Sequence, residues 1–204
     1  MQSGKMLIQR LIITHGNMMT TKRLKIAGYL AMTSALLALP WFLFIFNIAN
    51  RNDPFIKAAE ASMLVGGLAL LIYLQLTFQQ LLHLRYAFHH ADKTISLIIQ
   101  ATIIQTVVSL LGMAIPELAA AVRMFSLIML VVFGILHMMF GTWLLQLPGS
   151  LGGMHRPYCY LNIVTGFALA TIMLLPLGML TRIIADVMLG TIFLQAVGHR
   201  PRLG

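Results

Sequence analysis

Acidic residues are scarce in this chain: five Asp and Glu stand among 204 residues, against fourteen Lys and Arg. They are dispersed, so the acidic clusters that lipid transferases use at the membrane interface are missing. Cysteine is scarcer still. Cys159 is alone, which excludes an intrachain disulfide. Charged residues of either sign make up 9% of the chain, where soluble domains carry about 25%. Catalytic signatures are absent too. No span holds a Gly-x-Ser-x-Gly-like nucleophile, and there is no His-Glu-x-x-His. The glycine-rich stretch Pro148–Pro157 lacks the Gly-Lys-Ser/Thr ending of a phosphate-binding loop. The chain is therefore expected not to be an enzyme and to carry no cofactor.

What is abundant is apolar sequence. Hydrophobic residues are 59% of the chain, and in water such a surface would aggregate. About six apolar stretches, each near the length of roughly 18 residues or more that crosses a bilayer, are separated by short polar turns. They run near Leu24–Ala49, Ala58–Leu84, Thr94–Ile115, Met124–Leu147, Tyr158–Leu175 and Leu180–Val197. The fifth is read as stopping at Pro176-Leu177-Gly178. The sixth is the weakest, because Arg182 and Asp186 interrupt it, and a tilted or re-entrant segment is the alternative. The expected fold is all-α: a polytopic transmembrane bundle at 24–197, after an N-terminal segment at 1–23 and before a tail at 198–204.

Residues 1–23 alternate apolar with basic and polar positions and suit a short interfacial helix. A frayed terminus, or a true start at Met18 or Met19, is the alternative. The first apolar run is too long for a cleavable signal peptide.

Basic residues sit beside the ends of the apolar runs rather than in one patch, which argues for lipid headgroups and against nucleic acid. With the N-terminus inside, Lys5, Arg10, Lys22, Arg23, Lys25, Arg85, Lys93, Arg156, Arg200 and Arg202 fall on one face, and Arg51, Lys57, Arg123 and Arg182 on the other. The positive-inside rule then places both termini in the cytoplasm. A bacterial inner membrane is the expected location.

Few polar residues fall within the spans. His137 lies about ten residues, or ~15 Å, from the inner end of its span, and ionisable groups at that depth default to functional hypotheses. Gly134 and Gly141 share its face, so it is expected to point into the bundle. Gln75 and Gln105 fall near its level. Together the three form a candidate polar layer, read either as a pocket or as packing hydrogen bonds. Arg182 and Asp186, at i,i+4, are a candidate ion pair near the outer surface. Arg85, Lys93 and Arg156 are candidate contacts to lipid or partner, within the docking segments Arg85–Lys93 and Gly149–Tyr158.

Metal and haem readings find little support. No second histidine matches the depth of His137. His89 and His90 cannot both face one metal from a single helix face, and no carboxylate partner is evident. The fifteen methionines show no repeated ligand spacing. Small residues at Ala27, Ala31 and Ala35, and at Asn162, Gly166 and Ala170, mark packing seams.

Two functions fit these features. The first is a non-catalytic membrane subunit of a larger assembly, of secretion, conjugation, envelope or respiratory type, with a protein partner or a second copy of itself. The second is a small oligomeric transporter or channel using the polar layer around His137.

Overall fold

The computed structural model describes residues 21–48, 54–147 and 153–198, without the side chains at 39 and 41–48. The N-terminal interfacial helix, most of the glycine-rich loop and the C-terminal tail lie outside the described residues, as do parts of the Gly149–Tyr158 docking segment. Among the described residues six α-helices follow one another: α1 (Thr21–Ile48), α2 (Pro54–Tyr86), α3 (Asp92–Ala114), α4 (Ala119–Leu145), α5 (His155–Ala170) and α6 (Leu175–Gly198). A short 3₁₀ turn, Pro116–Leu118, leads into α4. There is no strand among the described residues.

Among the described residues, four segments are long and apolar enough to cross a membrane: Pro54–Tyr86, Asp92–Ala114, Pro116–Leu145 and Leu175–Gly198. Their outward surfaces are apolar as well. Phe55 is 80% exposed and Met124 64%, an arrangement that suits hydrocarbon and would be unstable in water. A helix that is hydrophobic all round belongs in a membrane or a large core. The chain is a multi-pass membrane protein.

Proline positions explain where the helices begin, and they correct two boundaries. Pro54 opens α2, Pro116 opens the turn before α4, and Pro176 lies in the first turn of α6. A proline suits the first turn, because its missing N–H would have no intrahelical partner there. Pro176-Leu177-Gly178 therefore starts α6 rather than ending α5. The chain instead turns at Thr171–Leu174, where Ile172 takes a left-handed φ of 54°. Likewise α4 begins at Ala119, ahead of the expected Met124. Pro40 sits inside α1, a position that membrane helices tolerate.

As a result α5 is short. Its 16 residues rise about 24 Å, less than a hydrocarbon core of roughly 30 Å. The 27 residues of α4 rise about 40 Å. Near its end, at Ala170, α5 meets Gly134 of α4. Gly134 is itself about 22 Å along the axis from Ala119. The α5–α6 hairpin thus ends well before the far end of α4.

Small residues let the helices meet closely. A Cβ on Gly134 would lie 2.6 Å from the Gly166 oxygen, and one on Gly141 would lie 2.7 Å from the Cys159 oxygen. This is the α4–α5 seam. Ala27, Ala31 and Ala35 are fully buried along α1, where Gly28 and Gly190 bring α1 against α6. At one end of the bundle an aromatic cluster fills the core. The Phe78 ring meets Phe140, Tyr158 and Phe193 edge-on, at centroid distances of 6.0, 6.0 and 6.2 Å, an arrangement that aromatic quadrupoles favour.

Helix ends at this side are tied down by side chains. His155 Nε2 donates to the Leu144 carbonyl at 2.6 Å, a second bond to an acceptor in the last turn of α4 that also receives the Leu147 N–H. The Arg85 guanidinium donates to the Ala196 carbonyl in the last turn of α6, where a cation also complements the helix dipole.

Candidate functional site

His137 is buried, at 5% exposure, in the half of α4 that carries the glycine seam. Its Nδ1 lies 2.8 Å from the Phe133 carbonyl. A carbonyl can only accept, so Nδ1 carries the proton. Arg182 Nη1 donates to the other ring nitrogen, Nε2, at 2.5 Å. Because Nε2 must offer a lone pair to a guanidinium, this arrangement holds a neutral ring in a single tautomer. Arg182 Nε in turn lies 3.3 Å from Asp186 Oδ1. The Phe133 carbonyl, His137, Arg182 and Asp186 form one continuous chain of contacts between α4 and α6.

This corrects the expected depth of Arg182. It lies at the level of His137, about 27 Å along α4 from Ala119 by helical rise, rather than toward the Ala119 end of the bundle. The short α5 is the reason: α6 starts partway through the bundle. Two threonines hold the hairpin in that position. Thr165 donates to Thr181 at 2.8 Å, and Thr181 donates back to its own helix at the Gly178 and Leu177 carbonyls, both 3.0 Å away.

The three side chains line a cavity of about 600 Å³. Leu169 and Pro176, from the two arms of the hairpin, lie against it beside Leu130 and Phe133 of α4. Ala38, Leu71, Ile98 and Thr102 line it from α1, α2 and α3. Its walls are otherwise almost wholly apolar. Pockets of this size, with apolar walls and a few fixed polar groups, are the usual form of a small-molecule site.

The polar layer is arranged differently from the expectation. Gln105 does not reach His137. Its amide donates to Ser126 at 2.8 Å and to Ser109 at 3.1 Å, joining α3 to α4. Gln75 is buried on α2, and its Oε1 accepts no hydrogen bond among the described residues. Neither glutamine lines the cavity. Equal depth estimated from helical rise does not decide rotation about the helix axis, and rotation separates these three. Of the expected lipid or partner contacts, Lys93 and Arg156 are exposed, whereas Arg85 is committed to α6.

One grouping was not anticipated. Asp92 lies 2.6 Å from His83 and 3.3 Å from His89, so a carboxylate partner for the histidines does exist. The relevant pair is His83 with His89, across a turn, rather than His89 with His90. The interval from His83 to Asp92 carried this signal, once the turn between α2 and α3 is made tight enough to bring its two ends together.

Compared with known proteins, the chain matches no family model, no curated protein and no solved structure.

Proposed function

We propose that the chain is a small membrane transporter whose solute occupies the cavity beside His137, Arg182 and Asp186. The observation that carries this reading is a guanidinium held between a neutral imidazole and a carboxylate, on the wall of an apolar cavity of about 600 Å³. A guanidinium has five N–H donors. The contacts to His137 and Asp186 engage two, and three remain for a solute. The matching solute has an apolar body and a head that accepts hydrogen bonds, a carboxylate above all, since paired donors on a planar cation favour it.

In this reading all six helices are embedded and both termini lie on the cytoplasmic face of a bacterial inner membrane. The hairpin α5–α6 enters and leaves from that face. The basic residues support the orientation, and more strongly without Arg182, which is withdrawn into the bundle and no longer counts among the outer charges. The neutral His137 and the Arg182–Asp186 pair keep the site close to uncharged when empty, which limits the cost of holding it in hydrocarbon.

The test is binding of a dansyl-labelled medium-chain carboxylate to the protein in nanodiscs. Its emission should rise saturably over that in empty nanodiscs, unlabelled carboxylate should compete, and Arg182→Met should abolish the saturable part. Equal signals from wild type, Arg182→Met and empty nanodiscs would refute the reading.

A second reading, a subunit of a larger membrane assembly, has one observation in its favour. Ala58, Ser62 and Gly66 form an exposed small-residue face on the outer part of α2, and a Cβ on Gly66 would meet nothing within 4 Å. Such faces let a further helix approach closely.

A further inference from the structure

Two imidazoles and a carboxylate converge where α2 turns into α3. Chain geometry brings them there. Ala87 takes a left-handed φ of 48°, its N–H bonds to the His83 carbonyl, and the Phe88 N–H bonds to the Leu82 carbonyl. This closes α2 and folds His89 back over the last turn, so that the His83 and His89 rings lie 4.2 Å apart between centroids. Asp92, in the first turn of α3, places one carboxylate oxygen 2.6 Å from His83 Nε2 and the other 3.3 Å from His89 Nδ1. One ligand atom from each of the three residues falls within 4.8 Å of the others.

We propose that His83, His89 and Asp92 form a binding site for zinc or a similar first-row divalent cation, which clamps the α2–α3 turn. Tetrahedral zinc with ligands at about 2.0–2.1 Å sets its ligand atoms roughly 3.4 Å apart. The two contacts to Asp92, 2.6 and 3.3 Å, lie at or below that value and no two of the three ligand atoms are more than 4.8 Å apart, so side-chain movements of about an ångström complete the site. Imidazole and carboxylate are ligands this class of ion accepts. Gln79 lies near the Asp92 carboxylate, placed to act as an outer contact of the kind that orients metal ligands. The side chain of His89 is 64% exposed, which leaves a fourth position open to water.

The neighbouring groups do not crowd the site. His90 turns away, its ring tilted against Phe88 and edge-on to Trp143, so it is not a fourth ligand. Of the adjacent cations, Arg85 is bonded to Ala196 and Lys93 is exposed.

The experiment uses full-length protein with a tag free of histidine, stripped with chelator and titrated with zinc against a fluorescent competitor. Cobalt serves as a second probe, because tetrahedral cobalt absorbs strongly in the visible. Wild type should take up one equivalent and show the cobalt bands. His83→Ala and Asp92→Asn should each weaken zinc binding by at least about tenfold, the range seen for loss of even an outer-shell contact, and His90→Ala should leave it unchanged. His89→Ala is the decisive variant, because its exposed side chain contributes little to packing, and it too should weaken binding. Uptake well below one equivalent, full affinity in His89→Ala, or an equal loss in His90→Ala would overturn the proposal and leave Asp92 as an ion-pair partner of His83 alone.

Discussion

Gly134→Ala is the most informative single change in the bundle. The added Cβ would stand 2.6 Å from the Gly166 oxygen, 2.6 Å from the Ala170 nitrogen and 2.8 Å from the Ala170 Cβ. The first two neighbours are backbone atoms, so no side chain can rotate away. To reach an ordinary contact near 3.4 Å, α4 and α5 must separate by most of an ångström along a seam that Gly141 and Gly166 also keep tight. Overpacking of this kind costs roughly 1–3 kcal/mol. The strain passes to the site, because Thr165 of α5 holds Thr181 next to Arg182. The assay is thermal unfolding of the purified protein in detergent, with Gly66→Ala as control. A Cβ there meets nothing within 4 Å, and replacing a helical glycine favours the helix by up to about 1 kcal/mol. Gly134→Ala should melt well below wild type, and Gly66→Ala at or above it. Equal melting of the two variants would refute the packing argument.

Arg182→Met should destabilise by leaving Asp186 an unpaired carboxylate in the bundle, and Arg182→Met with Asp186→Leu should recover at least about 1 kcal/mol of that loss. Melting of the single and double variants checks it, and a double variant less stable than the single would contradict it. Arg85→Gln should lower stability by about 0.5–1 kcal/mol through loss of the cation at the end of α6. Lys93→Gln and Arg156→Gln should leave stability unchanged and instead reduce anionic-lipid adducts, at about 1 kcal/mol per basic residue, as read by native mass spectrometry. Topology reporters should place Gly204 in the cytoplasm and the Asn50–Asp53 segment outside. An outside signal at Gly204 would end the proposed orientation.

Helical class and membrane character were legible in the sequence, because both depend on composition and run length, which neighbours barely alter. The small-residue spacings were legible as seams, since a side chain too small to keep helices apart leaves few other roles. Depth and rotation were not. Pro176 reads equally as a helix stop or a helix start, and that choice moved Arg182 from the expected outer surface to the side of His137. Gln75 and Gln105 shared the estimated level of His137 but neither lines the cavity, because rise along an axis says nothing of facing. The His83–Asp92 contact depends on the left-handed Ala87, a conformation that alanine rarely adopts and that sequence alone does not suggest.

If the Arg182 cavity admits a solute, a cysteine placed in its wall should report it. Cys159 is fully buried, so the wild-type chain should be silent to thiol reagents. Ala38 lines the cavity opposite α6. In proteoliposomes, Ala38→Cys should react with a water-soluble thiol reagent, and a medium-chain carboxylate should protect it. The protection should vanish when Arg182→Met is added. An unreactive Ala38→Cys, or a reaction rate that carboxylate leaves unchanged, would contradict the claim.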